Sequence, residues 1–467
     1  MRDGNAPLRT AQEVVQWLTQ AIYSGVWLPD TKLPPERTLA TDLGINRSTV
    51  AAAYDELQAL GMVDRRQGSG TFVHGDLWGV TPDWTRYLST AAFRPTEPLV
   101  QTFRDARGNP GTIDFTQADL GPELWPTREL AQLWPAVDLA SVVGYPPPLG
   151  HGKLREALAV EMMRQYRMAV NPETILITSG AQQALYLIAR ALLRPGTAIA
   201  IEQPSFYYSL SLFQSIGVRL LPILTDGQGL LPDALSDLMK RHRPAMIWLN
   251  PTYHNPTGTI LPLARRQAVL SLAERWQVPV VEDDAFAHLR VKGAPSPPVP
   301  LRALGDDKRV LFIGTLSKIA APGLRVGWIV APRAIITRLA DIKGQMDLGT
   351  PGLVQVLAAS LLRSPAWPLH LNRVEAVLRQ RRDAFCAALE PLGRTGARWT
   401  VPDGGLYVWL RWGDHLPDRV RLLQAIAAGV VFAPGRVYGA DDGSARLNYV
   451  FLPEERAAMG LQRLAAL

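Results

Sequence analysis

Between Ala11 and Gly25 the apolar positions Val14, Val15, Leu18, Ile22 and Tyr23 recur at helical spacing, which predicts a first helix closed by Gly25. Pro34 and Pro35 suit the start of a second helix, with Glu36 in its first turn, Leu39, Ala40 and Leu43 on its apolar side and Gly44 at its end. Asn46 can cap a third helix whose expected inner face is Val50, Ala53, Tyr54, Leu57 and Leu60. Two short helices joined by a glycine-containing turn predict a helix-turn-helix. The run VDRRQGSGTFV then reads as two short strands around a Gly-Ser-Gly turn, a wing with Arg65 and Arg66 at its base.

From residue 112 to residue 467 the pattern changes. Apolar runs of strand length alternate with amphipathic helical stretches, which predicts an α/β domain with a mostly parallel central sheet and a smaller α+β subdomain. Residues 76–111, rich in Pro, Trp, Arg and Gly, read as a linker that partly docks on its neighbour, with one short helix near Pro82–Ala92. The expected organisation is therefore a multidomain chain: a winged helix-turn-helix over 1–75, a linker over 76–111 and an α/β domain over 112–467.

Composition agrees with a globular chain. Of 467 residues, 47% are hydrophobic and 19% charged. No apolar run approaches the roughly 18 residues that span a bilayer. The N-terminal MRDGNAPLRT has no apolar core of a signal peptide, so a cytoplasmic location and no membrane partner are expected. Cys386 is the single cysteine, so no internal disulfide forms, and no Cys/His spacing points to a metal. The net charge is +7, but residues 1–76 hold seven Lys/Arg against nine Asp/Glu and are formally −2, leaving +9 downstream. DNA affinity in the N-terminal part must come from a local patch.

Such a patch is available. The first turn of the third helix carries Asn46, Arg47, Ser48 and Thr49. Arginine pairs bidentately with guanine, and hydroxyls bind phosphate oxygens. A small helical adaptor with a solvated basic turn is the plainer reading of the same residues. However, LPPERTLATDLGINRSTVAAAYDELQALG and GSGTFV, in this order, resemble the GntR family over nearly all of residues 8–73. The resemblance implies DNA contacts by Arg37, Arg47, Ser48, Thr49 and the wing residues Gln67 and Gly68.

In the C-terminal part three apolar runs end in polar groups: AMIWLN before PTYHNPTG, VPVVEDD before AF, and RVLFIGTLSK before IAAPGLRVGW. Ligands of open parallel sheets bind beyond the strands' carboxyl ends, so Asn255, Asp283 and Lys318 can face one crevice. A lysine forms a Schiff base with an aldehyde, and a carboxylate keeps a pyridinium nitrogen protonated. Arg325, seven residues after the lysine, can grip a phosphate, and TSGAQQALYLIARALL opens a helix whose free N–H groups suit one. Taken singly, most lysines are solvated and an Asp after a strand is often a cap.

The ordered set resembles the fold type I aminotransferases, which use pyridoxal 5′-phosphate, over essentially all of 112–467. The resemblance implies Lys318 as the lysine of the aldimine and Asp283 as partner of the ring nitrogen. It implies Asn255 on the ring hydroxyl, and Gly180, Ala181, Gln182, Ser317 and Arg325 around the phosphate. Phe206 in EQPSFYY stacks on the ring, and Arg446 in ARLNYVF binds an α-carboxylate. Tyr145 in GYPPPLG reaches the phosphate of the other subunit, which implies a homodimer. One departure stands out: Phe286 occupies the position where many relatives place a tyrosine that touches the ring hydroxyl; Tyr207, Tyr208 or Tyr253 could compensate, a choice the sequence leaves open.

The order of head, linker and body resembles the MocR (GabR-like) transcriptional regulators. It implies binding to operator half-sites on double-stranded DNA, controlled by pyridoxal phosphate and an amino-acid or amine effector. Two further readings stay open: an active aminotransferase carrying a DNA-binding head, because the site is largely intact, and a cofactor-free scaffold, against which the Asp283, Lys318 and Arg325 set argues.

Overall fold

The structure, a computed structural model, describes residues 9–23, 26–66, 68–75, 98–305, 308–414 and 416–467. The chain forms two compact units, Met1–Ala91 and Ala92–Leu467. Their boundary falls inside the segment read as a linker. The helix expected near Pro82–Ala92, Gly25 and the wing residue Gln67 lie outside the described residues.

In the first unit α1 (Ala11–Tyr23), α2 (Glu36–Leu43) and α3 (Arg47–Ala59) precede a hairpin of β1 (Val63–Arg66) and β2 (Gly70–Val73). Pro35 stands at the N-cap of α2, and Gly44 ends the helix in the left-handed region at φ 68°, its N–H turned back onto the carbonyls of Ala40 and Thr41. Val14, Leu18, Ile22, Val50, Ala53 and Leu57 are fully buried and make the core of this unit. Leu60, expected on the inner face, is 60% exposed instead. The helix stops at Ala59, and Leu60 is its C-cap. Asn46 does precede α3, but its side chain makes no capping hydrogen bond.

The second unit begins with the helix Pro98–Arg107, inside the stretch read as a linker; its Val100, Phe103 and Ala106 enter the main core. Next come β3 (Ile113–Asp114) and the strands of the central sheet: β4 (Ile175–Thr178), β5 (Ala198–Gln203), β6 (Arg219–Asp226), β7 (Gly229–Leu230), β8 (Met246–Leu249), β9 (Val280–Asp283), β10 (Val310–Thr315) and β11 (Gly327–Val330). Their spatial order is β4-β11-β10-β9-β8-β5-β6-β7. Neighbours from β10 to β6 are parallel, while β11 runs antiparallel between β10 and β4, and β7 is an antiparallel edge. Every residue of β4, β8, β9, β10 and β11 is buried, which is why these strands read as unbroken apolar runs rather than alternating ones.

A second, antiparallel sheet of β12 (Arg398–Trp399), β13 (Tyr407–Arg411), β15 (Ala433–Pro434) and β16 (Ser444–Asn448) forms the smaller subdomain, and β14 (Val430–Val431) pairs in parallel with β3. The parallel register puts the carboxyl ends of β8, β9 and β10 side by side, with Ile313 opposite Asp283 and Leu249 opposite Glu282. Among the described residues no helix is long and apolar enough to cross a membrane, and no cluster of His, Cys, Asp and Glu is placed to hold a metal.

Candidate functional site

In the first unit the described residues expected to meet DNA lie outside the core. Arg37 and Ser48 are exposed, Thr49 is half-buried, and Gly68 sits in the exposed wing turn at φ 75°. Arg47 opens α3 with its side chain 71% exposed. Its Nε and one terminal nitrogen both donate to Glu36 Oε2 at 3.1 Å. Glu36 Oε1 accepts from Arg65 at 3.4 Å, and Arg65 also pairs with Asp55 at 2.8 Å. Arg66 lies over the Phe72 ring at 4.5 Å and donates to Asp30 at 2.9 Å. These carboxylates explain the formal negative charge of a domain that presents its cations outward. Exposed pairs of this kind contribute about 0–1 kcal/mol to stability, so they act on side-chain aim more than on the fold.

In the second unit a cavity of about 140 Å³ opens at the carboxyl ends of the strands. Lys318 follows β10 and lines it, with Nζ donating to the Ala118 carbonyl at 2.7 Å. Burial is the main cause that lowers the Lys318 amine to about 8; Asp119 opposes it, Arg446 adds to it, Asp283 opposes it and Arg325 adds to it. Asp283, the last residue of β9, is raised to about 7 by burial first, then by repulsion from Asp284, with Lys318 easing the charge. Its Oδ1 is buried and, among the described residues, has no hydrogen-bond partner.

Asn250, at the end of β8, ties the floor together. Its backbone N–H donates to Glu202 at 2.9 Å, its Nδ2 donates to the Asp283 carbonyl at 2.7 Å, and its Oδ1 accepts from the Asn255 N–H at 2.7 Å. Asn255 in turn accepts from Arg446 at 3.1 Å through Oδ1, and from the Phe206 N–H at 3.0 Å through its carbonyl. Arg446, on β16, also donates to the Thr116 carbonyl at 2.8 Å and lies 4.1 Å over the Tyr407 ring.

After β4 the chain turns at Gly180, φ 86°, and enters the helix Ala181–Leu192. Arg325, itself at φ 50°, donates to the Ser179 carbonyl at 2.8 Å and reaches Ser317 Oγ at 3.4 Å. A Cβ on Gly180 would meet that guanidinium at 2.6 Å, so glycine is what lets the arginine lie against the turn. Free N–H groups of a helix start, a hydroxyl and a planar cation make a cradle for a phosphate.

The cavity thus collects Ala181, Gln182, Phe206, Asn255, Asp283, Ser317, Lys318, Arg325 and Arg446, with Gly180 directly behind the first of them. Tyr145 is not among them and stands 85% exposed. Phe286 lines the cavity, its ring edge-on to Tyr407 at 5.8 Å. Of the tyrosines considered as substitutes for its missing hydroxyl, Tyr207 lines the cavity but donates to the Leu249 carbonyl at 3.4 Å, while Tyr208 and Tyr253 do not line it. Sequence reasoning missed Asn250 and Tyr407, which carry no motif of their own. Asn250 did end the apolar run AMIWLN, the one signal that pointed to it. A ring bearing an aldehyde, a basic nitrogen and a phosphate fits this donor set: an amine of lowered basicity, a buried acid with an open oxygen, and the phosphate cradle.

A winged helix-turn-helix and a fold type I transferase domain on one chain define a DNA-binding regulator with an aminotransferase-like body. Comparison with known families agrees: residues 10–73 match the gntR family of bacterial regulatory proteins and residues 124–464 match aminotransferase class I and II. YdfD of Bacillus subtilis, an uncharacterized HTH-type transcriptional regulator, is 34% identical over 97% of this chain and 95% of its own. Among solved structures, the multiple substrate aminotransferase of Thermococcus profundus superposes with a TM-score of 0.77 at 28% identity, over 82% of this chain and 98% of that one. LysN of Thermus thermophilus, an α-aminoadipate aminotransferase complexed with N-(5′-phosphopyridoxyl)-L-leucine, gives 0.75 at 31%, with the same coverage. The chain belongs to the aminotransferase class I and II family and, with its GntR-type head, has the architecture of the MocR-like transcriptional regulators. That membership implies DNA as a partner and pyridoxal phosphate as cofactor.

Proposed function

We propose that this regulator reads an amino acid or amine through pyridoxal phosphate held in the cavity of its body, and converts occupancy into a change of DNA affinity. The observation that carries the reading is the meeting of the Lys318 amine and the Asp283 carboxylate in one cavity with two guanidiniums, Arg325 and Arg446. When bound, the cofactor supplies an electrophilic aldehyde and an electron sink. Lys318 is its covalent anchor, and its lowered basicity leaves a useful fraction of free amine near neutral pH. Asp283 Oδ1 holds a proton on the ring nitrogen, and Asn255 bonds the ring hydroxyl. Phe206 covers the ring face, while the Gly180–Gln182 turn, Ser317 and Arg325 take the phosphate. Arg446 takes the carboxylate of an amino-acid effector.

Head 1–75, a tether beyond it and a body reaching to residue 467 make a chain in which ligand and DNA sites are separate. Coupling then requires that the effector favour one arrangement over another. A homodimer fits this reading: Val143 and Tyr145 stand 80% and 85% exposed, and in a dimer Tyr145 would reach the phosphate cradle of the second copy. Two tethered heads would contact two half-sites. Amino transfer is the second reading, favoured by the joint presence of Lys318, Asp283 and Arg446 in the cavity.

Fluorescence anisotropy tests the proposal, using the full chain and DNA from upstream of its own gene. Affinity should change when pyridoxal phosphate and an amino acid are added together, and the change should vanish in Lys318→Ala. Affinity indifferent to both ligands in the wild-type protein would refute it; fast turnover with a keto acid and no specific DNA shift would favour the enzyme.

A further inference from the structure

Two donors in the cavity wall are left over once the roles above are assigned. The Tyr407 hydroxyl is buried and, among the described residues, has no hydrogen-bond partner; the same holds for Arg446 Nε. Both groups belong to one stack, with the guanidinium 4.1 Å above the Tyr407 ring centroid. The other two nitrogens of Arg446 are already engaged, by the Asn255 Oδ1 and the Thr116 carbonyl. The Tyr407 ring is also held by Phe286, packed against it at 72° and 5.8 Å. Neither side chain can turn away to find a partner, because Tyr407 is 1% and Arg446 5% exposed. A buried donor without an acceptor is costly, and two on one ligand cavity call for an acceptor brought by the ligand. A carboxylate is the common ligand group with two adjacent acceptor oxygens and the charge to match a guanidinium.

We infer that Tyr407 is a specificity-determining residue, whose hydroxyl donates to the effector carboxylate beside Arg446, so that the effector is an amino acid and not a simple amine. The substitution Tyr407→Phe would keep the stack with Arg446 and the contact with Phe286 and remove only the second donor. The inference rests on the cofactor and Arg446 assignments proposed above and narrows the effector they left as either class.

The test uses the full chain and two stable probes. One is N-(5′-phosphopyridoxyl)-L-leucine; the other is N-(5′-phosphopyridoxyl)-3-methylbutylamine, the same molecule without its carboxylate. Calorimetric titration gives the affinity ratio between them for the wild type and for Tyr407→Phe. The expected result is a preference for the leucine probe in the wild type that falls about 10- to 100-fold in Tyr407→Phe. The melting temperature of ligand-free Tyr407→Phe should be unchanged or higher, since an unpaired buried hydroxyl has been removed; a merely structural tyrosine would give a lower one. An unchanged ratio, or equal weakening of both probes, overturns the inference while leaving the cofactor site standing. If neither probe binds the wild type, the cofactor reading fails, and this inference with it.

Discussion

Gly327→Ala should break the phosphate cradle without touching any side chain in it. Gly327 opens β11 and is paired on both sides, with Thr315 on β10 and Thr178 on β4. A Cβ there would lie 2.6 Å from the Gly180 carbonyl carbon, 2.8 Å from the Ala181 nitrogen and 2.9 Å from the Gly180 Cα. Non-bonded carbon contacts sit near about 3.5–4.0 Å, so one backbone must yield by roughly an ångström. The strand, held by two ladders, is the stiffer partner, and the yield falls on the turn that aims the N–H groups of Ala181 and Gln182. Overpacking of this kind costs about 1–3 kcal/mol. Carried into the phosphate contacts, the same range is a loss of about 5- to 150-fold in pyridoxal phosphate affinity. Absorbance titration of the purified protein with pyridoxal phosphate measures it. Gly323→Ala is the control, since nothing lies within 4 Å of a Cβ there. An affinity for Gly327→Ala equal to that of the control would refute the account of the cradle.

Three further expectations follow from the same geometry. With the Lys318 amine lowered to about 8, its free fraction should make cofactor loading about tenfold faster at pH 9 than at pH 7, levelling above pH 8; a rise of about a hundredfold without levelling, as an ordinary lysine gives, would contradict the buried environment. Asp283→Asn removes a buried carboxylate that Asp284 repels and whose Oδ1 lacks a partner among the described residues, so the cofactor-free protein should melt no lower than the wild type while cofactor affinity falls at least about tenfold; equal affinity would remove Asp283 from the ring nitrogen. Arg47→Ala should weaken DNA binding by about 1–3 kcal/mol, yet change stability by less than about 1 kcal/mol because its pair with Glu36 is exposed; anisotropy and thermal melts check the two halves, and unchanged DNA affinity would end its role in base reading.

The head was legible because its elements are local. Pro35, Gly44 and the spacing of Val50, Ala53, Tyr54 and Leu57 specify two helices and a turn without help from distant residues. Leu60 was misread because the apolar spacing runs one residue past the end of α3, where the side chain is exposed rather than packed in the core. In the body, Lys318, Asp283 and Asn255 were legible because each follows a strand, and parallel strands bring their ends together. The antiparallel entry of β11 between β10 and β4 left no mark in the sequence, since a strand buried on both faces reads the same in either direction. The helix Pro98–Arg107 was hidden by the Pro- and Gly-rich residues around it, although Val100, Phe103 and Ala106 bind it to the core. Asn250 and Tyr407 act through contacts with residues far along the chain, such as Glu202 and Arg446. Such pairings are set by the fold and have no local spacing to betray them.

The account stands on one bond, between the amine at position 318 and a cofactor aldehyde. Borohydride treatment of the purified protein after incubation with pyridoxal phosphate, followed by peptide mapping, tests it most directly. The account predicts a phosphopyridoxyl group fixed on the peptide that contains Lys318. A label confined to other lysines, or no label at all, would contradict it.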